Sequence, residues 1–308
     1  MSNLALYLIT VLVWGSTWFA IEFQLGVVAP EVSIVYRYVG ASLLLFAWSL
    51  YKGLNLRFEL RDHGWFVLLG LFLFGLNYVF AYRAQIYITS AMTAIVFSAI
   101  VWMNIFNARV MFGVRAGRRT VIGSLLGVAG IVTLFAPQVT DLSFTDTALF
   151  GSVLAFLGAL AASFGNMASQ GAQQRGLPVV QSNAWGMFYG ASLSAIASLA
   201  AGHTFNFDPS AGYIISLFYL ALFGSVVAFG AYLTLLGRIG AHKAGYAMVM
   251  FPVVALILSI LFEGLRLTPS IIVGTLLVLT GNVFVLETRA SARHGTARSS
   301  AEAASPEA

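Results

Sequence analysis

The chain has 308 residues, 59% hydrophobic and only 9% charged, with 16 Lys and Arg against 11 Asp and Glu and no cysteine. A soluble domain carries about 25% charged residues, so a chain of mean hydropathy +0.89 lacks the polar groups to face water and takes the bilayer as its solvent. The missing cysteines exclude a disulfide framework, a Cys-based metal site and a thiol nucleophile, and the net charge of +5 is scattered over short loops rather than gathered into a nucleic-acid patch.

About 20 apolar residues cross the hydrocarbon of a membrane as a helix. The first such run, 3–25, holds "VWGSTWFAIEFQ", where Trp14, Trp18 and Glu22 recur every four residues and share one helix face. The second run, 32–51, carries Arg37. Charges inside a bilayer are costly and mark function by default. Glu22 and Arg37 lie at matching depths from the same membrane face, so an ion pair is expected there. Three readings stand for these charges: part of an outer gate, a lock between adjacent helices, or side chains that reach for the interface.

Run three, 64–84, brings Gly75, Asn77, Tyr78 and Tyr82. Tyrosine hydroxyls in an apolar segment need partners, so this face is expected to look inward. Run four, 89–112, places Trp102 near mid-depth, where an interfacial anchoring role fails, whereas Trp48, Tyr51 and Trp65 read as interface anchors. Run five is 119–136. Run six, 148–172, sets Ser163 and Asn166 one turn apart, and run seven, 182–201, contains "GMFYG" with spacing for close helix approach. Run eight, 212–236, contains Gly224. Run nine, 241–262, contains Gly245, Tyr246, Met250 and a mid-helix Pro252, and run ten is 269–287. Pro252 removes a backbone bond, and with Gly75, Gly224 and Gly245 it supplies the expected hinges.

Trp14, Trp18, Asn77, Tyr78, Tyr82, Trp102, Ser163, Asn166, Tyr246 and Met250 are the candidate lining of an aromatic, weakly polar central cavity. Core packing is the competing role for each of them. Placing the N-terminus inside and alternating gives thirteen Lys and Arg in inside loops, only Arg83 and Arg266 outside, and Arg37 within a span. That asymmetry predicts ten spans with both termini cytoplasmic.

The chain also repeats. "GSLLGVAGIV" (123–132) aligns with "GTLLVLTGNV" (274–283), and "LFLFG" (71–75) with "LALFG" (220–224). The expected organisation is an all-α membrane protein of two five-span repeats, 1–137 and 146–290, followed by a disordered cytoplasmic tail, 291–308. An odd span count inverts the second repeat, as in many secondary transporters.

"VWGSTW", "YRYVGASLLL" (36–45) and "VRAGRRTVIGSLLGVAGIV", echoed by "EGLRLTPSIIVGTLLVLTGNV", together resemble the drug/metabolite transporter superfamily. The resemblance is to its ten-helix EamA-type branch, most of all to the YddG-type amino-acid exporters, and it covers nearly all of the chain to about residue 288. It implies a basket of helices around a central cavity and export of amino acids, drugs or other metabolites from the bacterial plasma membrane. Family members often carry a glutamate after the fourth span, as Glu263 stands after the ninth; here that first-half position is Phe112.

No phosphate-binding loop is present, so no ATPase engine is expected, nor a cofactor, a metal or an obligatory protein partner. An organic-cation exporter is the alternative within transport, and it needs an acidic cavity residue, for which only Glu22 is available. A receptor, scaffold or membrane enzyme is the alternative outside it. The single intramembrane carboxylate leaves proton antiport and facilitated export both open.

Overall fold

The computed structural model describes residues 1–88, 93, 96–134, 146–251, 253–254 and 268–286, and their side chains except at positions 18, 19, 22, 134, 146, 282 and 286. The described residues are helical throughout their ordered elements, with no strand among them. The helices are α1 (Asn3–Glu22), α2 (Pro30–Tyr51), α3 (Leu60–Tyr87), α4 (Ile100–Phe112), α5 (Arg118–Leu134), α6 (Asp146–Gln174), α7 (Val179–Ala200) and α8 (Ala211–Ile239). They continue with α9, built from Ala241–Ala244 and 247–251, and α10 (Pro269–Leu286). Pro252 and the tail from residue 291 lie outside the described residues.

α2, α3, α6 and α8 are each long and apolar enough to cross a membrane unaided. At 1.5 Å per residue, the 28 residues of α3 extend about 42 Å, beyond the ~30 Å of a hydrocarbon core. The ends are set locally. The Ser2 hydroxyl accepts a bond from the Ala5 amide to start α1, and Ser210 does the same for Tyr213 in α8. Pro30 opens α2, where its missing N–H costs nothing. Gly113 stops α4 at φ 68°, a conformation side chains resist.

Residues sort as a lipid solvent demands. Leu8, Leu12, Leu43, Phe156, Phe218 and Leu276 point outward, while Thr10, Arg37, Asn104, Asn166, Gln170 and Asn183 are buried. In hydrocarbon a polar side chain finds its partners only inside the bundle.

Two long helices depart from α geometry. α3 widens to a π-helix at Gly70–Leu76, and α8 does so at Leu220–Val227. These are the segments that contain the matching "LFLFG" and "LALFG". Each π segment is seated against a glycine-rich or small-residue face. A Cβ on Gly70 would stand 2.6 Å from the Gly186 carbonyl and 2.8 Å from the Gly190 amide, so the "GMFYG" of α7 meets α3 backbone to backbone.

The most extensive helix contacts survive exchange of the first five helices for the last five. α2 pairs with α7 and α5 with α10; α1–α8 exchanges with α3–α6. The α4–α6 contact exchanges with α1–α9, where Gly15 abuts Val254. The α5–α10 seam shows the relation residue by residue. Gly123 faces the Gly281 carbonyl and Gly130 the Gly274 carbonyl, so the two helices run antiparallel and equivalent glycines trade places.

Trp65 packs within the bundle. It is wedged against Gly171, where a Cβ would lie 2.5 Å from the indole, and so joins α3 to α6. Trp48 and Tyr51 are exposed, with the Lys52 ammonium 4.9 Å and 5.2 Å from their rings.

Candidate functional site

A cavity of about 80 Å³, with room for several waters, lies between α1, α3, α6, α8 and α9, about midway along the long helices α3, α6 and α8. Trp14, Thr17, Asn77, Tyr78, Tyr82 and Phe229 line it, with Met248 and Phe251 from α9. The Trp14 ring sits 4.6 Å from Phe229, 5.0 Å from Tyr232 and 5.6 Å from Phe251. Its indole N–H donates to the Gly224 carbonyl at 2.9 Å. That acceptor belongs to the π segment of α8, where the wider helical turn frees a carbonyl for an outside donor.

Behind Tyr78 lies Arg37, fully buried. Its guanidinium carbon is 4.7 Å from the Tyr78 ring centre and 5.3 Å from that of Tyr38. Nε donates to the Ser225 hydroxyl at 2.9 Å. Ser225 in turn donates to the Leu220 carbonyl within the same π segment.

Toward the arginine-rich loops the cavity gives way to a layer of buried amides that ties four helices together. Asn107 of α4 donates to Ser163 of α6 at 2.9 Å, and Asn166 donates to Asn104 at 3.3 Å. Gln170 accepts the Ala241 amide at 3.0 Å, pinning the start of α9. Gln173 donates to the Leu233 carbonyl of α8 at 2.9 Å. The Tyr232 hydroxyl and Asn166 Oδ1 are buried here without a hydrogen-bond partner among the described residues. The opposite end is held peripherally, where Gln24 donates to the Tyr213 carbonyl and Glu31 pairs with Arg83.

A buried amide left without its partner costs about 1–3 kcal/mol. Gln170→Ala strands the Ala241 amide, so it is expected to lower the melting temperature of the purified protein and to raise hydrogen exchange at the start of α9. Unchanged exchange there would show that Gln170 does not hold this helix.

A model of the EamA-like transporter family matches residues 1–136 and again 149–287. The chain belongs to the EamA-like transporter family. Among EamA-type relatives, the uncharacterized inner membrane transporter YedA of Escherichia coli (strain K12) is 29% identical over 257 residues, 83% of this chain and 79% of that one. The probable amino-acid metabolite efflux pump of the same strain is 26% identical, over 94% of this chain and 98% of its own. A solved crystal structure shares the fold, with a TM-score of 0.76 over 92% of this chain and 96% of that chain at 18% identity.

Within this EamA bundle the residues singled out in the sequence divide by depth and layer. Trp14, Asn77, Tyr78 and Tyr82 come together in the cavity wall. Ser163 and Asn166 sit in the amide layer beside it. Tyr246 is absent from the wall and fills the α5–α10 seam, donating to the Gly123 carbonyl at 2.8 Å. Trp102 and Met250 are half-buried on α4 and α9 and do not line the cavity. Gly75 and Gly224 both fall within π segments, and Gly245 lies against the Asn104 amide.

The side chains of Trp18 and Glu22 lie outside the described residues, as does Pro252 with Glu263. Phe229, Phe251, Met248 and Thr17 line the cavity without any distinguishing sequence signal. Among 25 phenylalanines, a cavity Phe and a lipid-facing Phe read alike.

Proposed function

We propose that this EamA-type transporter is a secondary exporter of amino acids or related small metabolites, with neutral and aromatic ones favoured, working by alternating access. The observation that carries the reading is a cavity midway along the long helices with an aromatic, weakly polar wall, backed on one side by a packed amide layer. Such a wall suits an apolar or aromatic side chain, and its ring faces attract an ammonium group. The amide layer is the closed gate in this state.

The exchange of α5 and α10 glycines supports an inverted arrangement of the halves, which gives two states related by swapping their roles. The π segments carry Gly75 and Gly224 and supply the bending points. The arginine-rich loops belong on the cytoplasmic side, which puts both termini there in a plasma membrane. The chain acts with the bilayer and its substrate, without ATP, a cofactor, nucleic acid or an obligatory protein partner, and catalyses no chemical conversion. An organic-cation substrate calls for a carboxylate on the wall; the described wall offers aromatic rings, an amide and hydroxyls, with a guanidinium behind them.

Purified protein in liposomes is expected to move labelled neutral amino acids above the rate of empty vesicles. Running the panel with and without a pH gradient separates proton antiport from facilitated export. No flux for any amino acid or small metabolite in the panel would contradict the reading.

A further inference from the structure

We propose that Arg37 is the anion-recognition group of this cavity and takes the carboxylate of the transported metabolite. The inference rests on the export reading and names its substrate class as monocarboxylates with an apolar or aromatic body, free amino acids among them.

A guanidinium at this depth is costly to bury, so it needs compensation. Its described neighbours supply only part of that. The Ser225 hydroxyl accepts from Nε, the Tyr82 hydroxyl lies beside the guanidinium as a second polar partner, and two tyrosine rings lie against its carbon. Nη1 is buried without a hydrogen-bond partner among the described residues. Among the described residues Glu31 pairs with Arg83, with His203 Nε2 3.8 Å from the same carboxylate, and neither contact involves Arg37. Arg presents its donors as a rigid planar fork, the shape that binds a carboxylate through two parallel bonds. Arg37 therefore holds a spare donor of the type that a carboxylate fits.

Its seat is also part of the cavity. Tyr78 is both a wall residue and the ring beneath the guanidinium. Gly224 accepts from the wall residue Trp14 and also admits the guanidinium, since a Cβ there would stand 3.2 Å from Nη2. Tyr78 is half-buried, so a rotation of this one ring brings the guanidinium to the wall. The substrate carboxylate then meets Arg37, while its apolar body stacks among Trp14, Phe229 and Phe251. The anionic end thus lies toward Ser225 and the apolar end toward α9.

The test compares acids with their carboxamides on the full-length purified protein. The probe pairs are phenylalanine with phenylalaninamide and 3-phenylpropanoate with 3-phenylpropanamide, read by intrinsic fluorescence and thermal shift. Wild type is expected to bind each acid at least about tenfold tighter than its amide. Arg37→Gln is expected to lose that preference while eluting as folded protein. Arg37→Lys keeps the charge without the fork and is expected to weaken the acids about fivefold or more, leaving the amides unchanged.

Glu22→Gln tests the pairing expected from the sequence, and it is expected to keep the preference. The inference is overturned if wild type binds acid and amide equally, or if folded Arg37→Gln retains the preference. If Arg37→Gln does not fold, unchanged acid affinity in Arg37→Lys overturns it instead. Loss of the preference in Glu22→Gln alone also overturns it, by showing that the two residues form a resident pair. Acid-selective binding without flux in liposomes would refute export and leave Arg37 assigned. Flux without acid selectivity would refute the Arg37 assignment and leave export standing.

Discussion

Trp14→Ala is expected to cut substrate flux in liposomes at least about tenfold and to destabilise the folded protein by about 3–5 kcal/mol. The indole contacts Phe229, Tyr232 and Phe251, so its loss opens a void between the cavity and the amide layer. It also strands the Gly224 carbonyl, which Trp14 reaches across 210 residues of sequence. Trp14→Phe separates the two effects. It retains a ring and loses the N–H donor, so a smaller cost of about 1–3 kcal/mol is expected. Chemical denaturation in detergent reads the stability change, and competition among substrates reads the selectivity. Normal flux and unchanged selectivity in folded Trp14→Ala would reduce this residue to helix packing.

The second large effect is expected at the α5–α10 seam. A Cβ on Gly130 would lie 2.7 Å from the Gly274 carbonyl and 2.8 Å from the Val278 amide nitrogen. On Gly123 it would lie 2.6 Å from the Gly281 carbonyl. These obstacles are backbone atoms, which do not step aside as a side-chain tip does. Gly130→Leu is therefore expected to cost more than the usual ~1–3 kcal/mol of overpacking and to leave little monodisperse protein after extraction.

Gly230→Ala is the matched control. Nothing lies within 4 Å of its would-be Cβ, and alanine favours a helix over glycine by about 1 kcal/mol. Its melting temperature is expected to hold or rise. Equal behaviour of the two variants would show that the seam is not a close backbone contact.

The glycines of that seam were legible in the sequence because a repeat writes them twice. "GSLLGVAGIV" and "GTLLVLTGNV" share an offset, and in the structure their glycines face one another in exchanged order. The π segments were not legible as such. Their apolar pattern matches that of an α-helix, and the close contacts at Gly70 and Gly224 appear only once the helices are packed.

The cavity was legible in part, for a chemical reason. A hydroxyl or amide in an apolar run must turn inward, which marked Asn77, Tyr78 and Tyr82. The same rule marked Ser163, Asn166 and Tyr246 as interior without telling a cavity wall from an amide layer or a helix seam. That distinction depends on helix rotation and spacing set by distant contacts, such as the 123-residue link from Tyr246 to Gly123. Arg37 was legible as an intramembrane charge, whereas its tyrosine and serine neighbours became visible only once α2, α3 and α8 were packed.

In alternating access this cavity reaches one side of the membrane at a time. The chain has no cysteine, so one introduced thiol reports without background. Ala81→Cys places it on the cavity wall and Ser163→Cys in the amide layer. Labelling with a membrane-impermeant maleimide, in right-side-out and inside-out vesicles, reads access from each face. Ala81→Cys is expected to react from the face opposite the arginine-rich loops, and Ser163→Cys from the face bearing them. Saturating substrate is expected to move the two labelling rates in opposite directions. Reaction of both thiols from both faces in the same state, or from neither face under any condition, would contradict alternating access.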